Sequence, residues 1–397
     1  MCLDGSPDAD AAAAFALEYA LFRGLPVIAS HIYDARIHET RFRQMEPGLP
    51  EQYQAEEGLK HLRNSHGTLM NDGFQALSRG YMDRFLTMAR EAKVEVQVEV
   101  EEGRNYVGLQ RIAKRVHPGL VALGAAGLGD TGDGMLGSTA ARLLRSLDCD
   151  LLIGRASAPP KGPVLACIDG SPDALAALEV ARVLTRNSGH PLHLVAVYDP
   201  KLHQRVFKAM ADTMPPEAQA AVGLDKQQDL HESLIDDGLG TLYQTFLDKA
   251  ALDLSPEGPE VVTHLVADKG YRGIISQAEA VHAGLVCLGR FGHNREDGSE
   301  IGATAEAVVR LARCHVHVSA PPPVPAFSPD GEGKEEEMPW EPEALQRLGK
   351  VPRFVRKMAR RSIEAAAREE GAERVTVKHV ETVSERFRPK KGKSSDL

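Results

Sequence analysis

The stretch Cys2-Leu3-Asp4-Gly5-Ser6-Pro7-Asp8-Ala9 returns as Cys167-Ile168-Asp169-Gly170-Ser171-Pro172-Asp173-Ala174 in a chain of 397 residues. The same offset of 165 residues carries Tyr33-Asp34 onto Tyr198-Asp199, Phe42 onto Phe207, residues 71–77 onto 236–242 and residues 116–124 onto 281–289. An internal period has to be settled before a fold is read, and one constant offset over this length means a duplicated domain with almost no net insertion. We take copy one as residues 1–157 and copy two as 162–320.

Each copy alternates short β-branched runs with helical stretches, the pattern of an open parallel sheet flanked by helices. In copy two the strands are expected at 164–168, 192–197, 260–266, 285–288 and 316–319, with helices at about 172–187, 227–252, 270–283 and 303–313 between them. Copy one matches, except that its opening strand is cut to Met1-Cys2-Leu3. Either that sheet edge is frayed or the true start lies upstream.

From Ala320 the text becomes rich in Pro, Gly and Glu, which reads as a linker over 321–339. Residues 340–387 then read as a small helical unit: Pro342 and Val351-Pro352 open two helices, Phe354, Val355, Met358, Ile363 and Ala366 stand at helical spacing, Gly371 stops the second, and Thr376 is a cap for a third. Residues 388–397 are expected to be disordered. Charge divides the same way: residues 1–339 carry a net −15 and residues 340–397 a net +6. An acidic body argues against nucleic-acid binding. In the tail, Arg347, Arg353, Arg356, Arg360 and Arg361 alternate with Glu343 and Glu364 as on a solvated helix face, so a protein partner is the better expectation.

No apolar run reaches membrane-span length and no signal peptide is evident, which places the chain in the cytoplasm. The five cysteines form no CxxC pair and sit in strand-like apolar runs, as buried filler does. Cys314, His315 and His317 fall short of a metal-ligand set, and no metal site is assigned.

The sharpest candidate for chemistry is the glycine-rich stretch 129–144. Gly132, Gly134 and Gly137 spell a dinucleotide fingerprint, and 132–138 spells a Walker loop with Ser138 in place of its lysine. The repeat rejects both, because Gly132 and Gly134 correspond to Asp297 and Ser299. Gly124, Gly127 and Gly137 correspond instead to Gly289, Gly292 and Gly302, a shared G-x2-G-x9-G following the fourth strand. Glycines there let backbone N–H groups approach an anion, and a helix starting at Ser138 adds its free N–H groups and dipole. Arg290, His293 and Arg295 in copy two suit a phosphate, whereas Asp130 and Asp133 in copy one oppose it.

A strand-one Asp together with G-x2-G-x9-G-(Ser/Thr) resembles the ATP-binding members of the universal stress protein family, over residues 1 to about 319. The resemblance implies two tandem five-stranded parallel sheets of Rossmann-like, adenine nucleotide alpha hydrolase-like α/β fold, followed here by the small α-helical domain. It implies ATP as ligand, with Mg entering only through the nucleotide. Asp4 and Asp169 would face the ribose, Ile32 and Val197 would flank the adenine, and Gly124, Gly127, Gly137, Ser138, Gly289, Gly292 and Gly302 would wrap the phosphates. Ala303 replaces the motif hydroxyl in copy two, leaving Thr304 to substitute. The tail is similar to the C-terminal domain of the B subunit of light-independent protochlorophyllide reductase, in Trp340, Val351-Pro352, Phe354-Val355-Arg356, Arg360, Glu364, Gly371 and Val375-Thr376. That enzyme's cluster cysteines lie in other domains, so its chemistry does not transfer.

The leading expectation is a non-enzymatic, ATP-binding regulatory protein of the stress response, its two domains an intramolecular pseudo-dimer and its tail meeting a protein partner. The alternative is a nucleotide-free, chaperone-like scaffold pairing through its last strands, 150–154 and 316–320. An enzyme ranks third, since fold alone confers no chemistry. The matched histidine pairs 38/203, 66/231 and 117/282 are expected at surfaces or helix ends.

Overall fold

In a computed structural model, the structure describes residues 1–129, 134–159, 162–186, 189–224, 236–254, 258–292, 300–321, 338–349, 360, 363–364, 366–367, 372 and 374–386. Asp130, Asp133, His231, His293, Arg295, Val351-Pro352, Phe354, Val355, Met358 and Gly371, singled out above, lie outside these.

Copy one runs α1 (Pro7–Arg23), β1 (Val27–Tyr33), α2 (Ala35–Met45), α3 (Glu56–Glu91), β2 (Val96–Glu102), α4 (Asn105–Val116), β3 (Leu120–Gly124), α5 (Ser138–Ser146) and β4 (Asp150–Gly154). Copy two runs β5 (Val164–Cys167), α6 (Pro172–Thr185), β6 (Leu192–Tyr198), α7 (Leu202–Thr213), α8 (Pro216–Val222), α9 (Asp236–Asp253), β7 (Val261–Ala267), α10 (Gly270–Ala280), β8 (Leu285–Gly289), α11 (Ala303–Leu311) and β9 (His315–Ser319). The repeated Asp-Gly-Ser-Pro-Asp explains itself locally. Ser6 and Ser171 cap α1 and α6, accepting hydrogen bonds from the N–H groups of Ala9 and Ala174 at 3.2 Å each, and Pro7 and Pro172 fill the first helical position, where no N–H is needed.

In copy two β9, β8, β5, β6 and β7 lie side by side, all parallel. In copy one β1 pairs with β2 and β3 with β4, both parallel. Residues 1–3 join these pairs: Cys2 donates to Ala122 O (2.8 Å) and Leu3 to Ser30 O (2.9 Å). A cavity of about 360 Å³ lies between β1 and β3, lined by Met1, Ala16, Val27, Ile28, Ile112 and Val121 among others. Pro163, Val164 and Leu165 hold the corresponding place in copy two, where Val164 and Leu165 pair with β6 and β8.

The last strands of the copies, β4 and β9, pair antiparallel with Leu152 opposite His317. Helices cover both faces. Leu109, Leu143, Ile274 and Val308 of α4, α5, α10 and α11 pack into one layer, and α1, α6 and α9 cover the opposite face. Buried arginines cross between the copies reciprocally. Arg155 Nη2 donates to Val309 O (2.8 Å) near the end of α11, while Arg290 Nη1 donates to Leu144 O (2.8 Å) and Nη2 to Cys149 O (3.2 Å) at the end of α5. A cation at a helix C-terminus meets the free carbonyls and the negative end of the dipole.

The stretches after each second strand, opaque in sequence, form α2 with the start of α3 and α7 with α8. Met45 and Met210 are exposed there, and Phe42 stacks on His66 at 4.7 Å. His117 and His282 both take left-handed backbone (φ 47° and 50°) just after α4 and α10, so these two repeat as helix-end residues. All five cysteines are free thiols; burial pushes Cys149 and Cys314 up to about 11.

Residues from Val324 onward form a separate compact unit. Within it α12 (Pro342–Gly349) and α13 (Val377–Arg386) pack with Ile363, Ala366 and Ala367. Glu364 departs from the solvated face expected of it. It is 9% exposed, and its Oε1 accepts from Trp340 Nε1 (2.8 Å) and Arg360 Nε (2.9 Å). Thr376 stands at the N-cap position just before α13, and its N–H donates to Nδ1 of His379, the third helical residue, at 3.0 Å, as the third-residue side chain of a capping box does.

Candidate functional site

Asp4, Ile32, Gly124, Gly127, Gly137 and Ser138 all line one cavity of about 720 Å³ at the C-terminal ends of the copy-one strands. Ligands in open α/β sheets bind at this end. Residues from α2, α3 and α4 complete the wall, among them His38, Phe74, Tyr81 and Asn105.

The strand-one aspartate is oriented by the turn that follows it. Asp4 Oδ1 accepts from the Ser6 N–H (3.0 Å) and Oγ (2.6 Å), and Asp169 Oδ1 accepts from the Ser171 N–H (2.9 Å). The three glycines of each loop meet close neighbours of matching kind. A Cβ at Gly124 would lie 2.7 Å from Ala9 N, and one at Gly289 would lie 2.8 Å from Ala174 N. At Gly127 and Gly292 it would lie 2.8 Å from Oδ2 of Asp4 and of Asp169. At Gly137 and Gly302 it would lie 3.1 Å from the carbonyls of Ala125 and Arg290, to which those same residues donate their N–H groups at 2.7 and 2.9 Å. The loop is thus drawn tight against strand one and its helix, and a side chain at any of the three positions would push it outward.

Gly137 caps α5 without a side chain, and the first-turn N–H groups of Ser138, Thr139 and Ala140 have no intrahelical acceptor. Ser138 is exposed. They open on the cavity, an arrangement whose geometry and dipole suit an anion. Ile32 is 4% exposed, and its side chain packs on Gly108 of α4, where a Cβ would lie 2.7 Å from its Cδ1; Val197 stands to Gly273 in the same relation at 2.6 Å. Thr304 is exposed, with its hydroxyl 3.2 Å from where a Cβ of Gly270 would be, at the start of α10. Arg290 does not serve the loop as expected, because its guanidinium is buried on the carbonyls of Leu144 and Cys149.

Three residues escaped the sequence reading. Asp8 accepts from Ala126 N (3.0 Å) through Oδ2 and from Ala156 N (2.7 Å) through Oδ1, tying the glycine loop to the segment after β4; Asp173 accepts from Phe291 N (3.1 Å) in copy two. Its recurrence in Ser-Pro-Asp-Ala was the available signal. His31 also lines the copy-one cavity, with Nδ1 2.5 Å from Leu3 O, and its ring meets Tyr81 edge-on at 5.3 Å. The counterparts in copy two are Ala196 and Phe246, so the repeat gave no signal for it.

Two parallel α/β domains, each with a strand-one aspartate facing a tight glycine loop after its fourth strand, define a tandem Rossmann-like protein. Residues 1–155 and 162–320 each match the universal stress protein family, and the chain belongs to that family. Residues 340–383 match the family described as proto-chlorophyllide reductase 57 kD subunit. Among solved structures, a universal stress protein from Archaeoglobus fulgidus DSM 4304 is 16% identical, covering 77% of this chain and 93% of its own at a TM-score of 0.45. A putative universal stress protein from Pseudomonas aeruginosa UCBPP-PA14 is 16% identical over 77% of this chain and 86% of its own, also at 0.45. A universal stress protein in complex with cAMP, 16% identical, covers 41% of this chain and 98% of its own at a TM-score of 0.24. No curated protein matches the chain. Among the described residues no helix is long and apolar enough to cross a membrane, and no group of three or more His, Cys, Asp or Glu is placed to hold a metal ion.

Proposed function

We propose that copy one binds an adenine nucleotide, ATP, and that the chain works as a non-enzymatic regulator whose occupancy is read by a partner. The observation that carries this is the cavity that gathers Asp4, Ile32, Gly124, Gly127, Gly137 and Ser138, six residues drawn from four separate parts of copy one. In it Asp4 offers a carboxylate oxygen to ribose hydroxyls, the β1 end lies beside the base, and the first-turn N–H groups of α5 receive the phosphates. Mg, if carried by the nucleotide, would offset the negative charge brought in. In copy two the loop glycines and Asp169 hold the same relations, and we assign it a second, weaker nucleotide site because Ala303 offers no hydroxyl at the place of Ser138.

The β4–β9 pairing supports an intramolecular pseudo-dimer. It also occupies the two strands that a scaffold would need for pairing with another copy. The basic helical unit is the candidate contact for a protein partner in the cytoplasm. Isothermal titration with ATP and Mg is the test: saturable binding that Asp4→Ala weakens supports the reading, and equal binding by wild type and Asp4→Ala refutes the site.

A further inference from the structure

We propose that His31 selects the base in copy one, accepting a hydrogen bond through Nε2 from the exocyclic amine of an aminopurine nucleotide. This rests on the nucleotide reading of the cavity and names what discriminates within it.

The tautomer follows from the partner. Leu3 O can only accept, so His31 Nδ1, 2.5 Å away, carries the proton and donates it. Burial lowers the affinity of the ring for a second proton, which keeps His31 neutral and leaves Nε2 with a lone pair. Among the described residues Nε2 has no hydrogen-bond partner, and it is not one of the polar atoms sealed in protein, so it is open to a donor entering the cavity that His31 lines.

The ring is also held in place. Tyr81 meets it edge-on and is itself seated over Gly5, where a Cβ would lie 2.2 Å from Tyr81 Cε1; Gly5 tolerates this at φ 75°. Ile32, which follows His31 on β1, lines the same cavity, so the histidine stands at the base end of the site. Asp34, two residues further on, also lines the cavity, but its Oδ1 is sealed in protein, which leaves His31 Nε2 as the acceptor on this wall open to a ligand. An acceptor at His31 Nε2 is matched by an amine and mismatched by a base carrying hydrogen or oxygen at that position. Copy two, with Ala196 at the corresponding place, lacks the reader.

The test compares ATP with purine riboside 5′-triphosphate, which differs by loss of the exocyclic amine, in titrations of the full chain carrying Gly292→Ala to disable copy two. A single such bond predicts about fivefold tighter binding of ATP. His31→Ala should bind the two ligands equally, and His31→Gln, whose Oε1 is again an acceptor, should restore part of the preference; circular dichroism checks that both variants fold. Equal binding of both ligands by the chain with His31 intact, or an ATP preference that survives His31→Ala, would overturn the assignment. Failure of ATP to bind at millimolar concentration would instead overturn the nucleotide reading, and this assignment with it.

Discussion

Gly127 faces Asp4 so closely that a Cβ at 127 would lie 2.8 Å from Oδ2 of the carboxylate, and Gly292 stands to Asp169 at the same 2.8 Å. Duplication preserved the relation as well as the residues. A methyl group here must displace either the loop or the carboxylate, both assigned to the ligand. Gly127→Ala should weaken ATP binding by about tenfold or more, the worth of one displaced charged hydrogen bond. Thermal denaturation should change by no more than about 3 °C, because no core contact is removed.

Asp8 links the glycine loop to the segment after β4 through two backbone N–H groups, and removing its carboxylate leaves both without their acceptor. Hydrogen bonds to charged groups contribute about 1.5–3 kcal/mol each. Asp8→Ala should therefore cost about 1.5–3 kcal/mol in urea denaturation, since the Ala156 N–H is exposed and can be hydrated, and should loosen the loop enough to weaken nucleotide binding as well. A wild-type urea midpoint in the variant would contradict this.

Sequence alone carried far because the chain is its own alignment. Gly124, Gly127 and Gly137 were separable from Gly132 and Gly134 only by asking which glycines recur, and the close approaches they make recur with them. What is not repeated was invisible: His31 faces its cavity where copy two has alanine. Arg290 was misread for a physical reason. A cation beside a glycine loop suits phosphate, but the sequence does not show that α5 of the other copy ends nearby with unpaired carbonyls. Glu364 was likewise read as a surface charge because Trp340 and Arg360 converge on it only in the folded unit.

His315 lies where the copies meet, its Nδ1 accepting from Arg155 N at 3.2 Å and its ring 4.6 Å from that of Phe15. Burial above all pushes it down to about 4 from an ordinary 6.5. The folded state therefore favours the neutral ring: its contribution is complete above pH 6.5 and is lost as pH falls toward 4. The loss amounts to about 3 kcal/mol across that window. The Tm of the wild type should drop between pH 7 and pH 4.5, and His315→Gln, which keeps an acceptor but does not titrate, should drop less.

The central claim is that the copy-one cavity holds ATP, and equilibrium dialysis with labelled ATP and Mg tests it most directly. Saturable binding to the full chain, reduced when Gly137→Val pushes the loop from Ala125 O, is the predicted result. No binding of ATP, ADP or AMP at millimolar nucleotide, by a chain shown to be folded, would contradict it.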